Sequence, residues 1–239
     1  PSRGALTRTM TDSSPLDVTA WNRDTSASTP TRALTGDIVF IDAGVEDGAT
    51  LSAGVHPGAT VVEIDRRSDG VQQIADYLAA SGQIYSAVHI VSHGAEAALQ
   101  LGNGTLTADH INAYAEQLKT IGNAIAADGD ILLYGCAVAS GDGERFVAAL
   151  AQATGADVAA SNDLTGHRDL GGDWQLEVST GVIDSTVPFD GMARNAFVST
   201  LDVLEGTSGD DSLEGGAGPD DLRGYDGNDT LDGGGGDDL

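Results

Sequence analysis

The chain has 239 residues, enough for one sizeable domain with appendages or for two small ones. With 11 Lys+Arg against 37 Asp+Glu its formal charge is −26, which repels phosphate backbones and anionic lipid and favours cations as partners. No stretch nears the roughly 20 apolar residues that span a bilayer, and the single cysteine, Cys136, excludes an internal disulfide framework.

Residues 1–35, rich in Ser, Thr, Arg and Pro without a sustained apolar period, read as a linker that cannot offset its ordering entropy. The chain opens on Pro1 with no basic-then-apolar leader, and it reads as a fragment. From Gly36 strand and helix signals alternate. The apolar runs IVFIDAGV, ATVVEID, YSAVHIVSHG, DILLYGCAV and ADVAAS predict five buried strands. The amphipathic segments VQQIADYLAAS, ADHINAYAEQLKTIGNAI and GERFVAALAQATG predict helices between them. The expectation is an α/β domain over 36–190, a mostly parallel sheet flanked by helices with right-handed crossovers. Asn103-Gly104 inside ALQLGNGTLT predicts a tight hairpin, and GGDWQLEVSTGVID predicts a second one near the domain's end. A short connector, residues 191–205, follows.

Residues 206–239 recur at a nine-residue period: GTSGDDSLE, GGAGPDDLR, GYDGNDTLD and GGGGDDL. Glycines permit tight turns that expose carbonyl oxygens, and Asp211, Asp220, Asp229 and Asp238, with Asp226 beside them, supply charge to a hard oxygen-seeking ion. A flexible acidic linker would share the composition but not the phase, in which Leu213, Leu222 and Leu231 hold register with the aspartates. The array resembles the calcium-binding nonapeptide repeats of repeats-in-toxin proteins. That resemblance implies a short parallel β-roll with two nonapeptides per turn, calcium between turns eighteen residues apart, and the leucines as its narrow core. It pairs Asp211 with Asp229 and Asp220 with Asp238, while Thr207 and Tyr225 depart from the second glycine of the motif.

In an open parallel sheet, reactive groups gather at the carboxyl ends of the strands. AVHIVSHG delivers His93 there just before Gly94, and DILLYGCAV delivers Cys136 just after Gly135. A cysteine needs a neighbouring base or positive charge to act as a nucleophile at neutral pH, and the glycines leave peptide N–H groups free for an oxyanion. Free cysteine is also a common small buried hydrophobe, so one sequence position does not decide between the two. His89, within a continuous apolar run, reads as a core histidine; His56, His110 and His167 read as surface residues. Asp42 and Asp65, at the ends of the first two strands, read as caps in preference to a pocket for a basic side chain.

His-Gly after one strand and Gly-Cys after the next resembles the clan of caspases, gingipains and clostripain. The longer wording, SHG, LQLGNGTL, ILLYGCAVA, TGADVAAS and GGDWQLE, resembles a caspase-like domain of unknown function found in large bacterial surface and repeats-in-toxin proteins. The resemblance implies His93 as general base, Cys136 as nucleophile, and the amides of Gly94 and Cys136 as oxyanion hole. The expected protein is secreted or surface-exposed, binds calcium, and carries a cysteine endopeptidase acting on a peptide substrate or on its own polypeptide. The alternative is a non-catalytic module of an adhesin with calcium-stabilised repeats.

Overall fold

The computed structural model describes residues 34–205, 212–214, 221–224, 226–233 and 235. The expected linker therefore lies outside the described residues, except for its last two. These form β1 (Leu34–Thr35), which pairs in parallel with β4.

The chain continues through β2 (Ile38–Asp42), α1 (Gly48–Ala53), β3 (Thr60–Ile64), α2 (Gly70–Ser81) and β4 (Ile84–Val91). A small antiparallel sheet follows, built of β5 (Gly94–Ala95), β6 (Ala98–Leu101) and β7 (Gly104–Thr107). Then come α3 (Ala115–Gly122), β8 (Ile125–Tyr134), α4 (Gly143–Thr154), β9 (Asp157–Ala160), β10 (Val178–Ser179) and α5 (Gly191–Ala196). All five expected strands are present as β2, β3, β4, β8 and β9, parallel to one another in the spatial order β9-β8-β4-β2-β3, with β10 antiparallel at one edge. The molecule is thus mixed α/β, with a mostly parallel central sheet flanked by helices.

Strand alternation divides the core into two faces. Ile38, Phe40, Val88, Ile90, Ile131 and Leu133 point to one face, where α2, α3 and α4 bury Ile74, Leu78, Leu118, Ile121, Phe146 and Leu150. Val39, Ile41, Val91, Leu132 and Tyr134 point to the other, where Leu51 of α1, Ala193 of α5, Trp174, Phe189, Phe197 and Leu201 cover them. The three predicted helices lie where the apolar period put them. Asp69 caps α2 by accepting from the Gln72 amide at 2.8 Å, and Gly82 ends it at φ 62. The α3 segment is shorter than expected, because residues 108–114 run through turns before the helix starts.

Both hairpin expectations need correction. The first hairpin exists, but Leu101 pairs with Gly104, so its two-residue turn is Gly102-Asn103, with Gly102 at φ 63. The second does not form. Val178 and Ser179 pair instead with Ala160 and Ala159 of β9, Asp173 bridges in parallel to Thr165, and Trp174 turns into an aromatic cluster. Its ring lies 6.0 Å from Tyr134, 5.3 Å from Phe189 and 5.6 Å from Phe197. Burial of that large ring outweighs the weak pairing preference of the alternating stretch.

Beyond Leu201 lie β11 (Val203–Glu205), β12 (Ser212–Glu214), β13 (Asp221–Arg223) and β14 (Thr230–Asp232). β11 pairs in parallel with β13, Leu204 opposite Leu222, and β12 pairs in parallel with β14, Leu213 opposite Leu231. Each pairing joins residues eighteen apart, two nonapeptide periods. Leu222 is buried, whereas Leu231, expected in the narrow core, is 48% exposed.

Candidate active site

The order of the sheet decides where a site can form. From β2 the chain steps outward to β3, then returns to lay β4 on the opposite side of β2. The ends of β2 and β4 therefore diverge at the topological switch point, the usual place for a crevice in such sheets. His93 stands two residues past the end of β4, and Cys136 two residues past the end of β8. Val91 is in register with Tyr134, and the Ser92 amide donates to the Tyr134 carbonyl at 3.0 Å, which carries the two strand ends forward side by side. The loop after β2 adds its Gly44 carbonyl, 3.1 Å from His93 Nε2.

The glycines explain how the ends come so close. A Cβ on Gly94 would stand 2.5 Å from Val138 Cγ2 and 2.9 Å from the Cys136 carbonyl oxygen, and one on Gly135 would stand 2.9 Å from the Ser92 carbonyl oxygen. Only glycine fits between these two backbones. Past the cysteine, Ala137 adopts φ 56, a left-handed conformation that non-glycine residues seldom take and that clusters at functional sites.

The amides of Gly94 and Cys136 converge. Each donates at 2.9 Å to one acceptor, the carbonyl oxygen of Leu201. Asp202 follows, and its carbonyl lies 3.1 Å from His93 Nδ1. Both His93 partners are carbonyl oxygens, so each ring nitrogen faces an acceptor. Thr165 completes the enclosure: its amide donates to Cys136 Sγ at 3.1 Å, its carbonyl accepts from Sγ at 3.4 Å and from the Leu201 amide at 2.9 Å.

With this segment in place both side chains are covered. Cys136 is 1% exposed and His93 8%. Burial, with the Asp202 carboxylate acting in the same direction, pushes the Cys136 thiol up to about 12, against the opposing Thr165 and Leu201 hydrogen bonds. The reactive thiolate expected from the sequence is therefore not the resting form of the covered site.

Asp42 is buried and works as a cap. Its Oδ1 accepts from the Gly44 amide at 2.8 Å and its Oδ2 from the Gly102 amide at 2.6 Å, so it fixes the loop that presents the Gly44 carbonyl to His93. Burial raises its pKa, while those two hydrogen bonds and the nearby Arg66 and His93 pull it down. Asp65 is exposed and accepts from the Arg67 amide. His89 lies fully buried, stacked on Tyr134 with ring centroids 6.0 Å apart. His56 and His110 are exposed, and the half-buried His167 accepts from the Asp169 amide.

In the repeats, Asp211, Asp220 and Asp238 lie outside the described residues. Asp226 is exposed and Asp229 half-buried on either side of Gly227, which turns at φ 137. The Asp229 carboxylate rests against the Gly224 backbone, so close that a Cβ there would meet Oδ2 at 2.3 Å. Carboxylate oxygens held against glycine turns suit a hard cation such as calcium.

Sequence reasoning missed Thr165, Leu201 and Gly44. They enter through backbone atoms, which no side-chain pattern signals.

Residues 38–201 match the family model described as Domain of unknown function (DUF4347), and residues 205–239 match the RTX calcium-binding nonapeptide repeat (4 copies). Neither the curated proteins nor the solved structures yield a match. RTX repeats bind calcium and are typical of secreted bacterial proteins, and no helix among the described residues is long and apolar enough to cross a membrane. With its match spanning the central sheet and both strand ends that carry His93 and Cys136, the chain belongs to the DUF4347 family and bears RTX calcium-binding repeats after that domain.

Proposed function

We propose that the DUF4347 domain of this chain is a caspase-like cysteine endopeptidase, joined to a calcium-bound β-roll in a protein that works outside the cell. One observation carries the reading: two backbone amides, from the ends of two different strands, meet at 2.9 Å on the single peptide carbonyl of Leu201, and the next carbonyl, that of Asp202, lies 3.1 Å from His93 Nδ1. Donors at about 2.7–3.1 Å are what a developing oxyanion requires.

The roles follow from the chemistry of the groups. The Gly94 and Cys136 amides hold the carbonyl oxygen as it gains charge. Cys136 Sγ attacks the carbonyl carbon, and because burial keeps the thiol protonated, its proton passes to His93 as attack proceeds and then to the departing amine. Thr165 positions the sulfur from both sides of its peptide unit. Calcium supplies charge neutralisation to the aspartates of the tail, which Asp226 and Asp229 would hold together with Asp211, Asp220 and Asp238. Parallel pairing at an eighteen-residue offset supports the β-roll reading.

The raised thiol favours a second reading, a non-catalytic adhesin module in which Cys136 only fills the core. Hydrolysis of casein separates them. The first reading expects the purified chain to cleave casein, and Cys136→Ser and His93→Gln each to lose at least about 10²-fold, since the pair acts as a unit. Equal hydrolysis by the variants, or cleavage by the wild type of neither casein nor its own chain, favours the adhesin module.

A further inference from the structure

We infer that the chain's own segment Ser199–Asp202 is the substrate lodged in this site, and that the bond cut is Leu201–Asp202. The inference rests on the endopeptidase reading above and adds to it the identity of the substrate and the consequence of the cut.

The segment is held as a peptide substrate would be, through its backbone on both sides. The His167 amide donates to the Ser199 carbonyl at 2.9 Å, Thr200 bridges antiparallel to Gly166, and the Leu201 amide donates to the Thr165 carbonyl at 2.9 Å. Asp202 bridges in parallel to Gly94 on the other side. The Leu201 side chain is fully buried in the second face of the core. What separates this from an ordinary added strand is the Leu201 carbonyl. A ladder gives each carbonyl one amide from its neighbour, whereas this one receives two, from Gly94 after β4 and Cys136 after β8. Its successor's carbonyl meets the imidazole of His93.

The reaction balances with water as co-reactant. Sγ of Cys136 bonds to the Leu201 carbonyl carbon, the bond from that carbon to the Asp202 nitrogen breaks, and the thiol proton travels through His93 to the new amine. The products are a thioester on Leu201 and a fragment that begins at Asp202. Water then hydrolyses the thioester, restoring the thiol and leaving a Leu201 carboxylate. Because β11 starts at Val203, the cut detaches the whole repeat array from the catalytic domain. The recognised motif is a buried leucine followed by an acidic residue.

The purified chain should be incubated in calcium-containing buffer beside Cys136→Ser and His93→Gln. Intact mass and amino-terminal sequencing should show a fragment starting at Asp202, absent from both variants. Cys136→Ser keeps the size of the side chain and its capacity to bond to Thr165, and a cooperative melt of each variant establishes that it is folded. Should casein be hydrolysed in a Cys136- and His93-dependent manner while Leu201–Asp202 stays intact or another bond is cut, the segment is a plug and this inference falls alone. Should neither casein nor this bond be cut, both readings fall together.

Discussion

The places of Cys136 and His93 at strand ends were readable because apolar runs end beside them, and a run that ends in glycine marks where a parallel sheet opens. Their register was not readable, since it depends on which strands become neighbours. The thiol's environment was even less so: it is set by Thr165 and Leu201, contributed by segments 29 and more residues away in sequence. The raised thiol has a thermodynamic consequence. Its pKa lies near 12 in the folded protein against an ordinary value of 9.0, so the fold binds this proton more tightly than the unfolded chain does. The corresponding stability is fully present below pH 9 and drains away as pH rises from about 9 towards 12. Melting temperature should therefore fall more steeply above pH 9 for the wild type than for Cys136→Ser, whose hydroxyl does not titrate there. Parallel pH profiles for the two proteins would show that the thiol is not buried as described.

At the scale of elements, the five central strands follow from continuous apolar runs, and the two longest helices, α2 and α4, from an apolar stripe closed by a left-handed glycine at Gly82 or Gly155. α1 and α5 escaped sequence reasoning because six residues are too few to show a period. The region around Trp174 escaped it because a ring buried among Tyr134, Phe189 and Phe197 leaves an alternating stretch without a partner strand. The meeting of β4 and β8 at their carboxyl ends gives a sharp test. Gly94→Ala places a methyl 2.5 Å from Val138 Cγ2 and 2.9 Å from two backbone atoms, Cys136 O and Gly135 C, which cannot all yield. Overpacking of this kind costs about 1–3 kcal/mol. Gly104→Ala, where the new methyl meets nothing within 4 Å and φ is not positive, should stay within about 0.5 kcal/mol of the wild type. Denaturant melts of the two variants measure the contrast, and equal stabilities would mean that the strand ends are farther apart than the backbone indicates.

At the scale of the whole molecule, the acidic excess and the periodic tail already pointed to a calcium-binding appendage, while the end of the domain was the harder boundary to see. The last predicted element, GGDWQLEVSTGVID, ends before residue 190, yet the family match runs to residue 201, and Ala193, Phe197 and Leu201 all sit in the buried second face. Phe197 and Leu201 are each fully buried. Burial of a side chain of that size contributes about 1.5–3 kcal/mol, so removing both takes several kcal/mol from a total stability that for most domains is about 5–15 kcal/mol. Deletion after residue 190 also strips the Gly94 and Cys136 amides and the Thr165 carbonyl of their Leu201 partners, leaving buried polar groups to be hydrated. A chain ending at Glu205 keeps all of these contacts and should melt cooperatively, with a midpoint indifferent to calcium because the repeats are gone. A chain ending at Asp190 should melt at a much lower temperature or without a cooperative transition. Calorimetry of both truncations checks the expectation, and equal midpoints would place the functional end of the domain before α5 and make residues 191–205 a dispensable connector.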